Sequence, residues 1–248
     1  LVCIGLGGKR EVLVEGADFY AAPVADPCGL RLAWIEWDRP YQPWVATRLC
    51  QRESGQRSRV LAGQAGEESL QQPRFDPHNR LWVLSDKAGW WQPACIDLDI
   101  GLQAAPYDHA PAPWQLGART FLPLGDELLL TRFEQGVGVL VRCATTPHAG
   151  MTAESMLGKG FTRFRCLAAD SQHLYCIAAA PDRLSAVLAI RRSDGTLRIL
   201  AGGEQPLPEE RLSRPEPFDC DLGEGERCHG FFYPAVACEE RPPLVIFL

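Results

Sequence analysis

Apolar and polar positions along this chain alternate in short bursts. "DPCGLRLAWIEWD" (26 to 38), "FDPHNRLWVLSDKAGWW" (75 to 91), "LPLGDELLLTRFEQGVG" (122 to 138) and "LAADSQHLYCIAAAPDR" (167 to 183) each set a polar turn before an apolar run that closes on another turn. Such runs are too short for helices and are bounded by turn residues, so they read as strands. The anchor positions Gly29, Asn79, Gly125 and Gln172 are 50, 46 and 47 residues apart, a spacing in the range of β-propeller blades. Further strands follow each anchor: "TRLCQRE" and "SRVLAG" in the first unit, "ACIDLD" in the second, "GVLVRCA" in the third and "AVLAIRRSDGTLRILAGG" in the fourth. In the last, Ser193, Asp194 and Gly195 make a hairpin turn.

The pattern therefore predicts an all-β chain, a β-propeller of about four to five blades. Four-stranded antiparallel sheets are expected near 32–63, 80–110, 120–157 and 172–202, with residues 1 to 16 as the end of an earlier blade. Helical periodicity is confined to short turns near 151–157 and 207–212. The rival fold, a β-sandwich, would place turns every 8 to 12 residues or so without the longer period.

Composition narrows the functional classes. The 248 residues carry 23 Gly, 20 Pro and a net charge of -6, which argues against nucleic acid or an anionic membrane surface as partner, since both need a basic face. Only three of the 25 Lys and Arg residues are Lys, and the arginines are scattered. No apolar run approaches the roughly 18 residues of a membrane span, and "LVCIGLGGKR" lacks the order of a signal peptide. Ten cysteines stand apart with no C-x-x-C pair, which points to reduced thiols in a cytoplasmic protein. Cys220, Cys228 and His229 are the nearest approach to a metal-ligand group, too sparse to count as one, so neither metal nor cofactor is expected.

The search for catalytic motifs is negative: the chain contains no G-x-S-x-G elbow, no H-E-x-x-H, no P-loop, and no G-x-G-x-x-G after a strand. The five histidines (78, 109, 148, 173, 229) lie mostly in turns or between strands, with no marked nucleophile beside them.

"FYAAPVADPCGLRLAWIEWDRPYQPWVATRL", "QQPRFDPHNRLWVLSDKAGWWQ", "PWQLGARTFLPL" and "RLSRPEPFDC", followed by "CHGFFYPAV" and "RPPLVIFL", resemble the propeller and domain junction of prolyl oligopeptidase family serine peptidases, in the dipeptidyl aminopeptidase and acylaminoacyl peptidase branch. The resemblance runs through essentially the whole chain. The family's S-P-D-G turn is replaced by Asp26-Pro27-Cys28-Gly29 and Asp76-Pro77-His78-Asn79, and its P-W-D-x-T by Pro43-Trp44-Val45-Ala46-Thr47, departures that bear on turn rigidity and on any site at those turns.

The resemblance implies propeller blades over 1–208 and, over 209–248, the junction and first strands of an α/β-hydrolase peptidase domain, with "PPLVIFL" a strand leading to the oxyanion loop and the Ser, Asp and His of the triad beyond it. On that reading the chain is a non-catalytic portion of a serine aminopeptidase or oligopeptidase, inactive alone. It would gate and bind short peptides at the face toward the active site. Candidate contacts are Glu36, Trp37 and Trp44 in one blade, and Trp90 and Trp91 in the next. Asp86 is closer to a turn acceptor, and each aromatic has an alternative role in packing adjacent blades. A free-standing propeller binding protein or glycan is the alternative function. A partial ring would expose strand edges, so self-association is also expected.

Overall fold

The computed structural model describes residues 1–98, 100–101, 106–146, 150–236 and 242–247. A short hairpin, β1 (Val2–Ile4) and β2 (Arg10–Val12), precedes four sheets. The first holds β3 (Phe19–Ala25), β4 (Arg31–Trp37), β5 (Arg48–Glu53) and β6 (Arg59–Ala62), and the second β7 (Leu70–Phe75), β8 (Leu81–Ser85), β9 (Gln92–Cys95) and β10 (Ile100–Gly101). The third comprises β11 (Phe121–Pro123), β12 (Glu127–Glu134), β13 (Val137–Thr146) and β14 (Gly150–Leu157), the fourth β15 (Arg163–Ala169), β16 (His173–Ala180), β17 (Arg183–Arg191) and β18 (Leu197–Gly202). Each sheet is an antiparallel meander in chain order. A final hairpin joins β19 (Glu216–Gly223) to β20 (Glu226–Phe232).

The middle strands explain why the sequence reads as unbroken apolar runs. Successive side chains of a strand point to opposite faces, and here both faces are covered. Leu81 and Val83 join Ile35, Leu49 and Leu70 in one core, while Trp82 and Leu84 join Phe121, Leu128 and Leu130 in the next. Leu129 turns the other way, into a third core with Leu140, Phe164, Leu174 and Leu188. Three cores between four successive sheets are the stacking of propeller blades. A β-sandwich has one core between two sheets, so the rival fold is excluded.

Polar bonds repeat between blades. The Thr47 hydroxyl accepts from the Leu70 amide at 2.6 Å and donates to the Leu70 carbonyl at 3.0 Å. Gln72 and Thr120 bond reciprocally, at 2.9 Å each way, between the second and third sheets. The Leu167 amide donates to the Arg119 carbonyl at 3.0 Å between the third and fourth. Thr47, the last residue of the Pro43 to Thr47 stretch, is buried and ties the first blade to the second.

All four anchors lie in the turn between the first and second strand of their sheets. Gly29, Asn79 and Gly125 have φ of 70, 62 and 89°, the left-handed region that Gly and Asn tolerate best. The turn at Gln172 is held by a carboxylate instead, Asp170 Oδ1 accepting from the Gln172 and His173 amides. The altered turns are likewise firm. Asp26 Oδ1 accepts from the Leu30 and Arg31 amides, and Asp76 accepts from the His78 and Arg80 amides, from Arg80 Nε at 2.6 Å and from Trp82 Nε1 at 3.2 Å. Arg31 and Arg80, just after these turns, reach the Asn79 and Gly125 carbonyls of the next blade.

Three expectations change. The first, second and fourth sheets start earlier than expected, at Phe19, Leu70 and Arg163, because a first strand precedes each turn, while the third starts at Phe121 as expected. Residues 150–157 form β14 and no helical turn, since they pair with β13; the turn expected near 207–212 is a 3-10 turn at Glu209–Arg211. Residues 242–247 of "RPPLVIFL" form no strand, for they have no partner ladder, and Leu244, Val245, Ile246 and Phe247 stand exposed. Leu248, the last residue of that expected strand, and His148 fall outside the described residues. Among the described residues no helix is long and apolar enough to cross a membrane.

Candidate functional site

In an up-and-down meander, the connections after the second and fourth strands emerge at one end of the blades and those after the first and third at the other. The Asp-anchored turns occupy the second end. The first end carries the β4–β5 loop (38–47), the β6–β7 loop (63–69), the β8–β9 loop (86–91) and the described part of the β10–β11 loop (106–120). Trp44, Trp90 and Trp91 belong to these loops, and Glu36 and Trp37 end β4 beside them. The five sequence candidates therefore share one end of the fold, but they are not equivalent there.

Trp37 is buried and stacks on Phe19 with centroids 5.2 Å apart and planes 14° apart. It also lines a small apolar cleft with Ala22, Pro43, Gln72, Leu116 and Gly117, between the first two blades and under the β10–β11 loop. Glu36 is spoken for: its carboxylate accepts from Trp34 Nε1 at 2.8 Å and pairs with Arg48 at 3.2 Å. Arg48 also binds Asp38 at 2.6 Å and, with the Asp18 amide, holds its carboxyl below the ordinary value. Trp44 packs against Trp114 with centroids 4.0 Å apart and planes tilted by 32°, and Trp114 is mostly exposed. Trp90 is exposed. Trp91 is half-buried, its amide donating to Asp108 Oδ1 at 3.0 Å and its indole to Ser69 Oγ at 3.4 Å.

Asp86 does act as a turn acceptor: its Oδ1 accepts from the Ser69 amide at 2.6 Å, and its carbonyl accepts from Gly89 at 2.7 Å. Burial nonetheless pushes its carboxyl up, and the like charges of Glu68 and Asp108 add to the rise. Among the described residues none of these three carboxylates pairs with an Arg or Lys. Together they give this end a local excess of negative charge beside aromatic faces, suited to a small cation with an apolar body.

The partners Trp114, Glu68 and Asp108 were not foreseen. Trp114 stands in "PAPWQLG", a proline-punctuated stretch with an aromatic that no strand needs, and that was the available signal. Its loop is fastened at its base: His109 Nδ1 lies 2.9 Å from the Thr131 carbonyl, the Phe133 amide donates to the Asp108 carbonyl, and Arg132 lies over the Tyr107 ring. The final hairpin rises at this same end. The ring of Phe231 lies against Gly136 in the β12–β13 turn, and a cleft opens between the fourth blade (Phe161, Asp182, Arg183) and Pro217, Phe231 and Tyr233. Among the described residues no group of three or more His, Cys, Asp or Glu could hold a metal ion.

These features define an open row of four propeller blades with one aromatic, acidic end overhung by a β-hairpin. Solved structures of peptidases superpose on it. A puromycin-hydrolysing peptidase of Mycobacterium tuberculosis superposes with a TM-score of 0.81 at 27% identity, over 94% of this chain and 37% of its own. A puromycin hydrolase gives 0.84 at 22% identity, over 96% of this chain and 37% of its own, and prolyl oligopeptidase B of Galerina marginata gives 0.62 at 8% identity, over 90% and 32%. In fold and order of elements, the chain matches the propeller region of prolyl oligopeptidase family peptidases and spans about a third of their length. No protein-family model matches the sequence, and no curated protein does.

Proposed function

We propose that the chain serves as the substrate-gating and substrate-binding propeller of a serine peptidase acting on short peptides or aminoacyl compounds, in the dipeptidyl aminopeptidase and acylaminoacyl peptidase branch, within the cytoplasm. The observation that carries this reading is the superposition on two puromycin-hydrolysing enzymes over 94% and 96% of the chain. The end bearing Trp44, Trp91 and Trp114 beside Glu68, Asp86 and Asp108 supports a role in holding a substrate's free ammonium group and its first side chain. Aromatic faces and carboxylates that, among the described residues, are hydrogen-bonded to neutral donors but not paired with an Arg or Lys favour a cation joined to an apolar group. Glu36 contributes through its partners: it positions Trp34 and Arg48 and leaves the ammonium to the other carboxylates.

The test is a titration of the 248-residue chain with a dipeptide amide and with the same compound N-acetylated, followed by tryptophan fluorescence. The reading expects saturable binding of the free amine, weakened about tenfold or more by acetylation and by Trp114→Ala, an effect equivalent to about 1.4 kcal/mol. Equal response to both compounds, or none to either, contradicts it. The chain alone should show no hydrolysis of aminoacyl chromogenic substrates and no labelling by a fluorophosphonate, because it holds no elbow serine.

A further inference from the structure

Cys220 and Cys228 are Cα partners across the β19–β20 hairpin. Both are exposed free thiols. Directly opposed residues of an antiparallel pair project to the same face with Cα atoms about 4.5 to 5.5 Å apart, inside the range of about 4.4 to 6.8 Å that a disulfide spans. The other described cysteines have no such neighbour: Cys50, Cys95, Cys143 and Cys176 are buried in separate strands, and Cys3, Cys28 and Cys166 are exposed in different parts of the fold. The register that opposes Cys220 to Cys228 is set by the chain itself. Gly223 pairs with Glu226 across Glu224 and Gly225, whose φ of 53 and 84° suit a two-residue hairpin turn. A register shift between Asp221 and Gly223 then moves the ladder by one residue, so that Cys220 faces Cys228 where a regular ladder would have faced it with His229. His229, the third member of the sequence's nearest ligand group, follows Cys228 directly and so projects to the opposite face. This separates the thiol pair from any shared metal.

We propose that Cys220 and Cys228 are a reversible redox site that closes as an intra-hairpin disulfide by exchange with a low-molecular-weight disulfide such as oxidised glutathione. One cysteine thiolate attacks a sulfur of the small disulfide, forming a mixed disulfide and expelling one small thiolate. The second cysteine thiolate then attacks the protein sulfur of that mixed disulfide, forming the Cys220–Cys228 bond and expelling the second small thiolate. Two protein thiols are oxidised, one small disulfide is reduced to two thiols, and the two protons pass to the leaving thiolates. Excess reduced thiol runs the sequence backwards.

The bond acts on the wall of a cleft. The hairpin presses Phe231 against Gly136 and, with Pro217 and Tyr233, faces Phe161 and Arg183 of the fourth blade. Every residue of β19 is exposed, and only Gly230 of β20 is not, so little packing holds the two strands together. The crosslink fixes their pairing and with it the position of that wall, independently of what the cleft binds.

The test incubates the full chain with oxidised glutathione, alkylates remaining thiols and digests with trypsin. Arg227 lies between the two cysteines, so cleavage there places them on separate peptides unless they are bridged. The expected result is a linked pair mapping to Cys220 and Cys228, lost on reduction and absent from C220S and C228S, in each of which the remaining cysteine carries glutathione. Hydrogen exchange over 216–232 should slow roughly tenfold or more in the oxidised chain. Glutathione on both cysteines with no linked pair, a bridge to Cys238 or any other cysteine, or unchanged exchange across the hairpin each overturns the proposal.

Discussion

Mild acid should loosen the loop that carries Trp114. His109 is fully buried at the base of that loop. Its Nδ1 lies 2.9 Å from the Thr131 carbonyl, which can only accept, so Nδ1 holds the proton and Nε2 is bare, buried and, among the described residues, without a hydrogen-bond partner. Burial pushes the imidazole down to about 4, and Arg132 adds to the fall against the opposing effect of the Thr131 carbonyl and Glu154. The unfolded chain binds this proton near its ordinary value of about 6.5. A depressed folded value means that stability is complete above about 6.5 and is lost as pH falls toward about 4. For those two values, moving from about pH 7.5 to about pH 5 removes about 2 kcal/mol. The assay is urea unfolding at both pH values for the wild-type chain and for His109→Gln. The variant should be less stable throughout, yet lose about 2 kcal/mol less than the wild type between the two pH values. Losses equal to within about 0.5 kcal/mol would refute the assignment of a neutral, unpaired imidazole.

Three other outcomes follow from the packing. Asp76→Ala strips the Arg80 guanidinium, the Trp82 indole and two amides of a fully buried acceptor, and should cost about 3 to 5 kcal/mol by denaturant titration, with Asp76→Asn costing less. Gly63 has φ of 80° and a Cβ there would collide with the Thr47 carbonyl oxygen, so Gly63→Ala should lower Tm by several degrees, on the order of 1 to 3 kcal/mol. The outer strands of the fourth blade expose Leu184, Val187, Ile199 and Leu200, and the chain should self-associate at micromolar concentration in sedimentation experiments; a monodisperse monomer with a cooperative melt would count against that.

The blade period was legible because each blade needs one tight turn between its first and second strands, and positive φ restricts the residue there to Gly or Asn in three blades of the four. At Gln172 the work passes to the carboxylate of Asp170, a signal carried two residues away. First strands such as "LQQPRF" were harder to read. Arg74 and Gln72 make them look polar, although Gln72 is buried and bonds across to Thr120. The site was half legible. Trp44 and Trp91 stood out as aromatics, but pairing Trp44 with Trp114 depends on where the 106–120 loop is fastened, and that is decided by His109 meeting Thr131 22 residues further on. Glu36 looked like a free acid because its arginine lies on the neighbouring strand. The apolar "LVIF" failed as a strand for the opposite reason: composition favoured it, but pairing needs a partner that no other described segment provides.

The central claim is that the end bearing Trp44, Trp91 and Trp114 receives the free amino end of a short peptide. Hydrogen–deuterium exchange of the 248-residue chain with and without a saturating dipeptide amide tests it most directly. Exchange should slow in 38–47, 63–69, 86–91 and 106–118, with the Asp-anchored turns 26–31 and 76–80 unchanged. Protection confined to those turns, or none in either set while the peptide is bound, would contradict it.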